Sequence, residues 1–405
     1  MVNKILSQGY KDSPLGIIPK EWDVKRLGEV CTFLDSQRIP IKDADREKMK
    51  GEYPYYGASG IIDYVNDYIF DDDLILLGED GANILMRSTP LAFLVSGKVW
   101  INNHAHVLKT KLGFNRYYVC NYLESISYDK YNTGTAQPKL NREVCEKISV
   151  LLPPEGEQNR ISNLLITWDT AIEKQSELIE KFKLRKRALM QQLLTGKKRL
   201  PGFSGEWKRI KLGDIAERIT RKNEEDNKNV VTISAQRGFV VQTDFFNKSV
   251  ASETLDNYYL VHKDEFCYNK SYSNGYPMGA IKRLRAFDKA VVTTLYICFK
   301  LKDLSNINID FFEQYCESGI FNKELVKVAN EGGRAHGLLN VTPSDFFNMY
   351  MRIPSIDEQN AIATVLVNAD KEIELVNEKL ASLQSQKRGL MQQLLTGKKR
   401  LKTNN

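Results

Sequence analysis

The twelve residues "LMQQLLTGKKRL" stand at 189–200 and again, unchanged, at 390–401, although little between the two copies is alike. The repeat is wider than those words. "PPEGEQNRISNLL" (153–165) aligns without gaps on "PSIDEQNAIATVL" (354–366) at the same offset, and "EWDVKRLGEV" (21–30) returns as "EWKRIKLGDI" (206–215). "TAQPKLN" (135–141) is answered by "RAHGLLN" (334–340). The chain is one long unit written twice, its frame kept and its middle drifted.

The downstream part of each unit reads as a helix. Alternating steps of four and three from Ile161 give Ile161, Leu165, Trp168, Ile172, Gln175, Ile179, Phe182, Lys186, Leu189 and Leu193. The second copy gives Ile362, Leu366, Ala369, Ile373, Val376, Leu380, Leu383, Lys387, Leu390 and Leu394. That spacing is a coiled-coil seam, and both copies carry a lysine at the same step. Prolines 153, 154 and 354 precede the helices, and Gly196 and Gly397 suit left-handed C-caps followed by cations that complement the helix end. A helix from Ile161 to Leu194 would run about 50 Å and must bury its stripe. Its own globular neighbour or a second chain would serve, but the matched seam in the same chain is the favoured partner.

The framed middles, 53–111 and 230–301, alternate short apolar runs with Gly, Asn, Asp and Ser turns, and helices are expected at 115–126 and 309–321. The expected fold class is mixed α/β (α+β): two globular domains separated by two long helices that form an antiparallel coiled coil, with pseudo-two-fold internal repetition. The segments are 1–152 and 201–353 for the domains, and 153–200 and 354–405 for the helices. No apolar run is long enough to span a membrane, the start has no apolar export signal, and the six cysteines form no CxxC pair. A reducing cytoplasm without disulfides or a zinc site is expected. The net charge of +7 lies mainly in the repeated segments and permits a nucleic-acid partner without demanding one.

Motifs for catalysis are missing: no GxGxxG after a strand, no P-loop, no HExxH, no plausible nucleophile and base. Glu79 and Asp80 end "DDDLILLGED" without the lysine that would complete a nuclease-like metal site. His104 and His106 share one face of an expected strand, but no third metal ligand is in view, so a structural or base-contacting pair is the favoured reading. The loops offer hydrogen-bonding and aromatic residues among glycines: Tyr55, Tyr56 and Ser59; Gln137 and Lys139; Gln236 and Arg237; Asn269, Lys270 and Ser271; with Arg334 in the second copy of the third repeat. Such residues pair with base edges and hold phosphates.

Two divergent domains, each introduced by "EW…LG" and each followed by an "EQN" helix ending in "QQLLTGKKRL", resemble the specificity subunit of type I restriction-modification systems over nearly the whole chain. "YYGASGIIDY" and "VWINNHAHVLK" look like the first target-recognition domain, "FCYNKS" and "VVTTLYICF" like the second. The resemblance implies that each domain reads one half of a split, asymmetric site in double-stranded DNA. It implies that the helices set the spacer and dock two DNA methyltransferase (M) subunits, with restriction and motor (R) subunits completing the complex. On this reading the chain has no cofactor and no catalytic residue of its own: the partners would use S-adenosylmethionine to methylate adenine N6, and ATP with Mg for restriction. No membrane is involved. A single-chain restriction methyltransferase would need a methyl-donor glycine motif and an NPPY-like motif, and neither is present. The alternative is a non-enzymatic scaffold or a specificity subunit without working partners.

Overall fold

The computed structural model describes residues 9–242, 255–329 and 339–401. Four helices frame it: α1 (Arg116–Ser125), α2 (Glu155–Leu193), α3 (Ile309–Glu317) and α4 (Ile356–Leu394). The two long ones each have 39 residues, about 58 Å at 1.5 Å per residue. Both begin about six residues before the heptad pattern, because their first turns are polar and acidic (Glu155 and Glu157; Asp357 and Glu358), which suits a helix N-terminus but leaves no apolar period.

The chain divides into two compact units that share the helices crosswise: one holds 1–176 with 379–405, the other 177–378. In the first unit the opening half of α2 pairs antiparallel with the closing half of α4, and Ile161 and Leu165 share a core with Met391, Leu394 and Leu395. In the second, Met190, Leu193 and Leu194 meet Ile362, Ala363 and Leu366 in the same way. All twenty positions of the two seams are buried or half-buried, whereas most residues between them are exposed. The lysines in the seam are explained by their partners. Lys387 Nζ lies 2.5 Å from Asp169 and Lys186 Nζ 2.5 Å from Asp370, each reaching across to the opposing helix within its unit.

Each unit carries one version of the same globular domain. In the first, a four-stranded antiparallel sheet has the order 31–33, 105–110, 74–78, 92–95; in the second the order is 216–219, 297–301, 266–269, 280–283. A further four-stranded sheet in the first unit (order 60–65, 50–57, 98–101, 70–71) contains one parallel pair, Trp100 and Ile101 beside Tyr55 and Tyr56. The repeated "EW…LG" segment of each unit supplies a strand that pairs with the strand leading into the long helix: Asp23–Arg26 with Ser149–Leu152, and Lys208–Lys211 with Tyr350–Ile353.

The repeated Glu-Gln-Asn at each helix start joins domain to helix identically in both units. Gln158 Oε1 accepts the Asn115 amide at 2.9 Å and Gln359 Oε1 the Asn308 amide at 3.0 Å. Those asparagines are the N-caps of α1 and α3, and they donate to Asn159 and Asn360 at 2.7 Å. Gly196 and Gly397 both stand at φ +70°, the left-handed conformation that ends a helix.

Candidate nucleic-acid interface

In the first unit four loops converge at one edge of the central sheet. Strand Leu74–Gly78 runs out into Glu79 and Asp80, and the Glu79 amide donates to the His104 carbonyl at the entrance of strand Ala105–Thr110. The Ala58 carbonyl, at the tip of the hairpin that carries Tyr55, Tyr56 and Ser59, comes so near Gly78 that a Cβ there would lie 2.9 Å from it. The loop with Gln137 and Lys139 is tied to the same place: Leu140 donates to Glu79 O at 2.8 Å and Gly81 to Pro138 O at 3.1 Å.

Beneath this edge lies a charged core. Arg38 Nη1 donates to Glu79 Oε2 and to the Ala105 carbonyl, both at 2.7 Å. Asp35 Oδ1 accepts the Val107 amide at 2.8 Å, and its Oδ2 is 2.7 Å from His106 Nδ1. His106 Nε2 faces the Leu140 carbonyl at 2.7 Å. With an acceptor at each nitrogen, the buried ring is an imidazolium. Burial opposes that charge, but the hydrogen bonds to Asp35 and Cys145, with the charge of Asp35, carry its pKa up to about 10. Asp35 is held below the usual carboxylate range against its own desolvation by His106, the Val107 amide and Arg38.

The loop above is braced by the Asn132 side chain and by one backbone bond. Asn132 Oδ1 accepts from the amides of Gly134 at 3.0 Å and Lys139 at 2.9 Å, and the Thr133 amide donates to Lys139 O at 2.8 Å. A Cβ on Gly134 would fall 1.7 Å from the Gln137 carbonyl, so only glycine closes this turn. Thr135, Ala136 and Gln137 are left exposed at the tip, and an exposed glutamine amide can pair with both adenine N6 and N7. Lys139 Nζ stands 3.4 Å from Glu79, and His104 Nδ1 2.8 Å from Asp80.

The structure thus separates residues that the sequence placed together. Ser59, His104, Gln137 and Lys139 are exposed at the edge, with Tyr56 half-buried against Phe93. Tyr55 is a correction: it is 1% exposed, its hydroxyl accepts from the Ile41 amide and its ring lies under Arg46, so it holds the hairpin from within. Glu79 is paired with Arg38 and Lys139, and Asp80 with the His104 ring, all within the site itself. His104 and His106 do not act as a pair, since one is exposed with Asp80 and the other is buried with Asp35. Arg38 and Asp35 had no sequence signal, because "LDSQR" reads as an ordinary turn.

The second unit repeats the frame with other side chains. Leu339 donates to Lys270 O at 3.0 Å, as Leu140 does to Glu79 O, so Lys270 and Ser271 occupy the places of Glu79 and Asp80. Asn269 Nδ2 donates to Ile233 O at 2.9 Å and exposed Gln236 to Asn274 O at 3.0 Å, which ties the Gln236–Arg237 turn to the loop after strand Phe266–Asn269. Gln236, Arg237, Asn269, Lys270 and Ser271 are therefore neighbours. Arg334 lies outside the described residues. At frame-equivalent positions the acidic Glu79–Asp80 pair of one unit is replaced by Lys270–Ser271 in the other.

Comparison with known proteins agrees with this doubling. The family model for the type I restriction modification DNA specificity domain matches twice, at residues 19–181 and 204–385. The chain is 25% identical over 442 residues to the type I restriction enzyme MjaVIII specificity subunit of Methanocaldococcus jannaschii, covering 99% of each chain. It is 33% identical over 145 residues, 36% of each chain, to a Haemophilus influenzae protein named as a type I restriction enzyme specificity subunit. The crystal structure of a type I restriction-modification S subunit from M. genitalium has the same fold, with a TM-score of 0.55 and 15% identity over 92% of this chain and 96% of that one.

Proposed function

Because the chain belongs to the type I restriction-modification DNA specificity family, we propose that its two domains read the two unlike halves of one split DNA site. The observation that carries this reading is the recurrence of one loop frame in both units with its side chains exchanged, from Glu79–Asp80 to Lys270–Ser271. A shared frame presents a base-reading edge in each unit, and unlike side chains give unlike preferences. The first domain offers Gln137, Lys139, His104 and Ser59; the second offers Gln236, Arg237, Asn269, Lys270 and Ser271.

The chain itself supplies address, and partner subunits supply reaction. Two methyltransferase subunits would dock on the repeated helices, which present the same surface twice, and methylate adenine N6 with S-adenosylmethionine after the base has left the stack. Restriction and motor subunits would bring ATP and Mg. The long helices would act as the ruler for the spacer between the half-sites. No helix among the described residues is long and apolar enough to cross a membrane. The deciding experiment is single-molecule sequencing of modified adenines in source genomic DNA with and without this gene. Loss of methylation at one split, asymmetric motif is the expected result; an unchanged pattern, together with no site-specific binding by the chain assembled with candidate methyltransferase subunits, refutes the reading.

A further inference from the structure

The end of each "LMQQLLTGKKRL" copy is spent inside the protein, on the unit that the helix enters, not the one that it leaves. In the first unit the segment after α4 returns to the "EW" strand, where Gly397 packs on Pro19 and Trp22. Arg400 grips Glu157 with both arms of its fork, Nε to Oε1 at 3.0 Å and Nη2 to Oε2 at 2.7 Å. The Trp22 indole N–H donates to the same carboxylate at 3.0 Å, and Arg400 also reaches Glu21. Glu157 is 2% exposed. The second unit repeats the grip one copy earlier: Arg199 holds Glu358, 1% exposed, at 2.6 and 2.5 Å.

The gripped glutamate is not an isolated anchor. The next two residues, Gln158 and Asn159, hold the Asn115 N-cap of α1, and Gln359 and Asn360 hold the Asn308 N-cap of α3. Helix α1 packs on strand Ala92–Val95 of the sheet whose strands Leu74–Gly78 and Ala105–Thr110 open into the reading loops. A continuous series of polar contacts and packed elements therefore links each terminal arginine to the edge described above. A bidentate arginine fixes direction as well as distance, because both of its bonds lie in one plane.

We infer that Arg400 and Arg199 are positioning residues for DNA reading, assigned crosswise: Arg400, which follows the second domain in sequence, orients the first domain's reading edge, and Arg199 orients the second's. This rests on the reading that each domain reads one half-site. The test uses the full chain assembled with its cognate methyltransferase subunits and duplexes carrying single base-pair changes in either half of the genomically mapped site. Exchange of residues 31–148 for another first domain identifies which half-site the first domain reads.

Wild type discriminates at both halves; if it does not, the reading of the two domains fails before the inference is reached. R400A is expected to lower discrimination about tenfold at the first half-site and leave the second unchanged, and R199A to do the reverse. R400K keeps the charge without the fork and is expected to fall between R400A and wild type, and it carries the test if R400A does not assemble. Equal relaxation at both halves, relaxation of the second half only by R400A, or no change in either variant overturns the inference. A purely structural grip would lower yield or melting temperature without separating the half-sites.

Discussion

Alanine at Gly397 and at Gly196 places the same substitution in the same twelve-residue sequence at the same φ of +70°, and the structure separates their costs. Both variants meet the left-handed penalty of an L-residue, about 1–2 kcal/mol. At Gly196 the new Cβ finds the Trp207 ring at 3.4–3.6 Å, an ordinary contact that adds little. At Gly397 it falls 2.6 Å from Pro19 Cδ and 2.9 Å from Pro19 Cγ, with Trp22 at 3.3 Å. Pro19 cannot rotate away, because it ends a strand paired with residues 10–13, so overpacking adds about 1–3 kcal/mol. G397A is thus expected to cost about 2–5 kcal/mol and G196A about 1–2 kcal/mol. Native-state hydrogen exchange reads each unit separately, through the amides around Leu151 and Leu165 in the first and around Met351 and Leu366 in the second. G397A is expected to lower protection mainly in the first unit, and G196A mildly in the second. Equal losses, or a larger loss from G196A, would refute the packing argument.

Three further outcomes follow from the geometry. G134A should leave the fold intact and abolish discrimination at the first half-site, since its Cβ cannot coexist with the Gln137 carbonyl; intact discrimination in a mismatch-binding assay would show that this loop does not read DNA. His106 has a folded pKa raised to about 10 from 6.5, so its stabilisation is complete below about pH 6.5 and disappears as pH rises towards 10. Urea unfolding of the first unit should therefore lose on the order of a few kcal/mol over that window, and H106N should remove the slope. Inserting four residues, about one turn, into both long helices near Gln175 and Val376 should lengthen the spacer in the methylated motif and keep its half-sites; altered half-sites with the old spacer would sink the ruler.

What the sequence disclosed was periodic or repeated. The seams were legible because burial along a helix leaves a period, and even Lys186 and Lys387 announced themselves by recurring at the same step. The crosswise division of the helices was not, since a heptad records that a stripe is buried and says nothing of which residues bury it. The sheets of the two domains were legible only as short strands. Partners such as Thr32 and Lys109 lie far apart in sequence, and no local pattern specifies their register. The same distance hid the charged core, where Asp35 and His106 are separated by 71 residues. Tyr55 and Tyr56 show the limit in one dipeptide: alternation along a strand sends neighbours to opposite faces, but sequence alone does not say which face is covered.

The mounts built from the two identical repeats are unequal, and chain connectivity accounts for the difference. In the second unit Gly196 and Trp207 are about ten residues apart, so the clasp closes a short loop; in the first, Gly397 and Trp22 are about 375 apart. Loop closure grows as (3/2)RT ln n, which makes the longer closure costlier by as much as about 3 kcal/mol. The first clasp carries the additional bonds that such a cost requires. Arg400 takes Glu21 as well as Glu157, Trp22 donates to Glu157, and the Tyr10 hydroxyl donates to the Gly397 carbonyl at 3.5 Å. In the second unit the corresponding Trp207 Nε1 is buried without a hydrogen-bond partner, and Arg199 lies over the Trp207 ring. Identity of the repeat therefore reflects the shared part of the task, the arginine fork on a buried glutamate and the left-handed glycine. The residues around each copy differ by what the chain's own path leaves to be held.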